Sequence, residues 1–169
     1  LATSQLAAFT TAQLVTMETD DLQAITTGQI TALTTAQVAA LTTAQVVALT
    51  TDQTAALATS QLAAFTTAQL VKMETDDFAA ITTAQISALT TAQVAALTTE
   101  QVVALTTDQT AALATSQLAA FTTAQLVTME TNDLQAITTA QITAFKTAQI
   151  ASLTTDEVVA LTTDQIAVL

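Results

Sequence analysis

The stretch LTTAQVAALTTAQVVALTTDQ, residues 33–53, repeats one instruction every eight residues: apolar, Thr, Thr, small or acidic, Gln, aliphatic, variable, Ala. The same octad runs without insertion from Leu1 to Val168, giving 21 units followed by Leu169. A second period lies on top of it. LATSQLAAFTTAQLV begins at Leu1, Leu57 and Leu113, and the first two 56-residue blocks differ at six positions, among them Thr16 against Lys72 and Ala44 against Glu100. The chain is therefore one array, 1–169, made of three blocks of seven octads, 1–56, 57–112 and 113–168. Such arrays are stabilised by contacts between neighbouring repeats and do not divide into globular domains.

An eight-residue period restricts the conformation. A continuous α-helix turns by about 100° per residue, so the apolar set would advance by about 80° per octad and wind around every side. In a β-solenoid the apolar positions 1 and 6 have opposite parity and would face opposite sides of the strand. Alanine and glutamine are also poor strand formers. The turn residues of β structure are missing, since Gly occurs once, at Gly28, and Pro never.

One short helix per octad fits. In Leu33-Thr34-Thr35-Ala36-Gln37-Val38, Thr34 can act as N-cap, Gln37 can reach back to the N-cap amide, and Leu33 with Val38 forms a hydrophobic staple across this capping box. The position before the cap is apolar in every octad, and its partner fails to be so at Thr54 and Thr110 alone. The first Thr is replaced at Ala2, Glu18, Ala58, Glu74, Ala114, Glu130 and Lys146, whereas the second recurs throughout, so in those units the cap is expected to shift by one residue. All 14 acidic residues fall at octad positions 2, 4 or 5, where a helix start places them against the positive end of its dipole. Helices this short cannot survive alone, because nucleation costs more than so few hydrogen bonds return. The expected fold is thus an all-α solenoid of about 21 short capped helices, stabilised by stacking.

The 56-residue period describes the coil. Asp20, Asp52, Asp76, Asp108, Asn132 and Asp164 step through the octads by 4, 3, 4, 3, 4, and Val15, Val47, Val71, Val103, Val127 and Val159 do the same. By the logic that turns a heptad into a stripe, this predicts about 3.5 octads per superhelical turn, with an acidic stripe beside a valine stripe.

Composition removes several function classes. Without His, Cys, Tyr or Arg the chain lacks an ordinary general base near neutral pH, a thiolate and a guanidinium clamp, so no catalytic residue is assigned. A net charge of −12 opposes nucleic-acid binding, which relies on neutralising phosphates. No apolar run approaches the roughly 18 residues that a membrane span needs. Three acidic groups, Glu18-Asp20-Asp21, Glu74-Asp76-Asp77 and Glu130-Asn132-Asp133, carry the hard oxygen ligands that suit calcium. No Asp-x-Asp-x-Asp-Gly loop accompanies them, and the preferred reading treats them as first-turn, solvent-facing acids, with no metal or cofactor assigned. The chain has no initiating Met and its ends share the phase of the internal units, which suggests a segment of a longer array.

LTTAQVVAL, at 41–49, resembles the first helix of TAL effector repeats, but it lacks their second helix and base-reading loop. The octad L-T-T-x-Q-[VIL]-x-A, as in Leu89 to Ala96, resembles over the whole chain the Thr/Ala/Gln-rich arrays of very large bacterial surface or secreted proteins, adhesin-like and RTX-associated ones included. That resemblance implies a spacer, scaffold or adhesion role at a bacterial cell surface or outside the cell, with no transferable site. The alternative is a surface-binding module whose ordered Thr and Ala meet ice, mineral or another repetitive target, or a weak calcium-binding array. Homo-oligomers are expected through the repeat ends or along the valine stripe.

Overall fold

A computed structural model describes residues 2–169, and within them each octad forms one α-helix of four to six residues, from α1 (Thr3–Ala7) to α21 (Thr163–Val168), numbered by octad. There is no strand among the described residues. The local cause is the predicted one. In α5 (Thr35–Ala40) the N-cap Thr34 is extended, with φ −72° and ψ 157°. Its hydroxyl accepts the Gln37 N–H at 3.2 Å, while Gln37 Oε1 accepts the Thr34 N–H at 2.7 Å. Each helix ends without a left-handed residue, the apolar residue at position 1 being extended, as at Leu41 (φ −53°, ψ 141°). Two extended residues, positions 1 and 2, then turn the chain into the next helix.

The expected shift of the cap does not occur. Ala58, Glu74 and Lys146 are N-caps in the same extended conformation as threonine, and the second Thr stays inside the helix. Register is therefore held by backbone geometry and by the buried residues on either side, with the hydroxyl as an addition. Alanine and lysine have no oxygen to offer, so half of the box remains: Gln61 Oε1 accepts the Ala58 N–H and Gln149 Oε1 accepts the Lys146 N–H, each at 2.7 Å. At Glu18, Glu74 and Glu130 there is no side-chain cap bond.

The two apolar positions build one continuous core. Position 6 is its innermost layer up to Ile142, with Leu14, Ile30, Val46, Leu62, Phe78, Val94, Leu118 and Ile142 all inaccessible, whereas Val158 and Ile166 in the last two octads are exposed. Position 1 forms the surrounding layer, with Leu33, Leu57, Ile81, Leu105 and Phe121 buried. The staple pair of the first octad, Leu1 with Leu6, lies partly outside the described residues.

Helices three octads apart pack against each other along the array, for example α7 (Thr51–Ala56) with α10 (Thr75–Ala79) and α14 (Thr107–Ala112) with α17 (Thr131–Ala136). Side-chain hydrogen bonds reach the octad four units back, as described below. The superhelical turn therefore lies between three and four octads, as the 3.5-octad stripe pattern requires.

Candidate functional site

The feature that organises the molecule is a ladder of glutamine side chains at position 5. Gln53 shows how it works. Its Oε1 accepts the Thr50 N–H at 3.0 Å and so caps its own helix. Its Nε2 donates to Leu22 O at 2.8 Å and Gln23 O at 3.3 Å, carbonyls at the end of the helix four octads earlier, and to Ile25 O at 2.6 Å, the first residue of the octad that follows that helix. The same arrangement recurs along the chain, from Gln37 onto Phe9 O at 2.7 Å to Gln165 onto Leu134 O at 2.9 Å and Ile137 O at 2.7 Å. One amide thus satisfies a helix start with its oxygen and a helix end with its nitrogen. These are the groups every helix leaves unpaired, and the ladder needs the glutamines buried, as they are from Gln37 onward.

Carboxylates interrupt the ladder. Asp21 is exposed. Asp77, Asp133 and Glu157 are buried, with 4%, 2% and 3% of their surface exposed. At the glutamine spacing of 31, 30 and 28 residues, the corresponding carbonyl groups are those of Val46, Val47 and Leu49, of Val102, Val103 and Leu105, and of Leu126, Val127 and Met129. A carboxylate cannot donate to a carbonyl. Glu157, as long as glutamine, keeps the cap, with Oε2 accepting the Thr154 N–H at 2.6 Å, but its Oε1 is buried without a partner. Asp133 Oδ2 is likewise unpartnered. Burial first, then the charges of Glu74 and Asp76, push the Asp77 carboxyl up to about 6. Burial and Glu130 do the same to Asp133, also to about 6. Glu100 is the opposite case. Exposed at position 4, it accepts its own N–H and hydrogen-bonds the Thr98 hydroxyl, and it lies below the usual carboxylate range.

Two further polar groups lie in the core. Thr54 and Thr110 occupy innermost positions, are inaccessible, and have hydroxyls with no partner.

The acids grouped by sequence therefore separate. Glu18, Asp20, Glu74, Asp76 and Glu130 lie at the surface with Asp21, whereas Asp77 and Asp133 point inward, which corrects their reading as solvent-facing. The physical reason is that position 5 lies between successive turns. No cluster of three or more acidic side chains placed to hold a metal ion occurs among the described residues. Val15, Val47, Val103, Val127 and Val159 are exposed and Val71 is half-buried. Beside Val103 runs a shallow groove lined by Thr75, Thr99, Glu100, Ala104 and Thr128. No helix is long and apolar enough to cross a membrane among the described residues.

A family model described as the ALTTAQ repeat matches residues 14–51, 70–107, 110–147 and 139–169. No curated protein and no solved structure matches the chain.

Proposed function

The chain belongs to the ALTTAQ repeat family, and from that premise we propose that it is a non-catalytic structural segment, an elongated spacer or scaffold within a larger surface or secreted protein. The observation that carries this reading is the ladder itself. From Gln37 onward, the glutamine repeated at position 5 is consumed in joining one turn to another, as Gln69 joins Thr66 to Val38 and Leu41. What remains outside is Thr, Ala and scattered acid, spaced evenly along a rod. A bacterial surface or extracellular setting rests on the resemblance of the octad to Thr/Ala/Gln-rich arrays. Association with further copies rests on the exposed valines, and the charge of −12 argues against nucleic acid as a partner.

A spacer must change length without changing fold. Removing residues 57–112 deletes seven octads and joins Ala56 to Leu113 in phase. With packed helices about 8–10 Å apart, this should shorten the rod by about two turns, or roughly 20 Å, at unchanged cross-section in small-angle scattering. Equal circular dichroism per residue is expected for both chains. A compact, roughly spherical particle, or loss of helix on deletion, would contradict the proposal.

A further inference from the structure

We propose that Asp77 and Asp133 each bind a hard divalent cation of the calcium class between successive turns of the superhelix, in the space a glutamine amide nitrogen fills elsewhere. In the intact rungs that nitrogen sits where carbonyl oxygens converge: Gln109 Nε2 is 3.3, 3.1 and 2.6 Å from the carbonyl oxygens of Phe78, Ala79 and Ile81. Aspartate is one methylene shorter and stops short of that point. By the register of the intact rungs, 31, 30 and 28 residues back, the carbonyl oxygens of Val102, Val103 and Leu105 take the place opposite Asp133, whose buried Oδ2 has no donor. A cation ligated by carboxylate and backbone carbonyl oxygens at about 2.3–2.6 Å suits such a gap.

Three observations bear on these places, the first at Asp133 alone. Asp133 Oδ2 is buried without a partner. The helix packed beneath α17 is α14, and that beneath α10 is α7; these two carry Thr110 and Thr54, whose unpartnered hydroxyls are the polar exceptions in the innermost layer. Thr54 precedes Asp77, and Thr110 precedes Asp133, by the same 23 residues, so two departures from the octad occur together twice. Each aspartate also follows a glutamate by three residues, Glu74 and Glu130, which adds a second negative charge for a divalent ion to offset. Glu157 shares the register but not the gap, because its side chain has the full length of glutamine. Asp21 and its Glu18 are both exposed.

Calorimetric titration of the chelator-treated chain with calcium chloride at pH 7 tests this. The expected result is saturable binding at two sites per chain, with a rise in melting temperature that magnesium at equal ionic strength does not reproduce. The double variant Asp77→Gln/Asp133→Gln, which restores both rungs, should melt higher than the parent without calcium and show no saturable heat. Asp21→Asn should retain both sites. Absence of saturable heat in the parent overturns the proposal. So does an equal rise in melting temperature for parent and double variant with either cation, since that is screening of surface charge alone.

Discussion

At Thr54 and Thr110 a hydroxyl is held in the innermost layer, inaccessible and unbonded. A buried polar group left without a partner costs about 1–3 kcal/mol, and valine has nearly the same shape. Thr54→Val and Thr110→Val should therefore each stabilise the chain by about 1 kcal/mol or more, measured by urea unfolding; a loss of stability would mean that the hydroxyls have a partner. Asp77 and Asp133 make stability depend on pH. Their carboxyls titrate near 6 when folded against 3.8 when free, so the folded chain holds more protons across that window. In calcium-free buffer the melting temperature should fall as pH rises from about 4 through about 6 and level off above it. The variant Asp77→Asn/Asp133→Asn should flatten that slope. The sequence marked these positions as unusual, since Thr54 and Thr110 break the apolar pattern and the acids replace Gln. It did not say which way they face, because burial at position 5 arises from packing between turns and leaves no mark within one octad.

Within a helix, the two parts of the capping box carry unequal weight. Thr90 supplies one oxygen, accepting the Gln93 N–H at 3.2 Å. Gln93 accepts the Thr90 N–H at 2.7 Å and also donates to Ala63 O at 3.2 Å and Phe65 O at 2.8 Å. Thr90→Ala should cost about 1 kcal/mol, since Ala58 already caps a helix in this way. Gln93→Ala removes the inter-turn bonds as well and should cost roughly 2–3 kcal/mol. Equal losses in the two variants would show that the ladder contributes nothing. The capping box, the staple and the helix starts were legible because they are local. The second role of glutamine was not, since the box accounts for the residue by itself. One signal was present: the box accepts Glu as readily as Gln, yet Gln is used in nearly every octad, with Glu at Glu157 alone. That bias marks a need for the amide's donor half.

Across the whole molecule, the steps of 4 and 3 octads that arrange the valines in sequence match a turn bracketed by α-helix contacts three octads apart and ladder bonds four octads apart. The exposed Val47 and Val103, with half-buried Val71 between them, therefore offer a stripe to another copy. Val47→Gln/Val71→Gln/Val103→Gln should leave the melting temperature of the monomer nearly unchanged while abolishing lateral association in sedimentation velocity at high concentration. A parent chain that stays monomeric under those conditions would remove the stripe as an interface. The number of octads per turn could be anticipated from the 56-residue period. The bonds that fix it could not, because they join residues 28 to 31 apart.

That short reach governs how the rod responds to being pulled. Each rung lies between one turn and the next, so the turns bear axial tension in series, and a terminal turn, bonded on one side only, opens first. Opening that turn releases about 28 residues, which extend to roughly 90–100 Å from a rise of about 10 Å, and leaves the next turn as it was. The chain should pay out at nearly constant force, and rewind by closing contacts no more than about 31 residues apart, however long the array. If the chain serves as the spacer proposed above, it should yield under load and recover its length when the load is removed, a saw-tooth-free extension trace in force spectroscopy being the check.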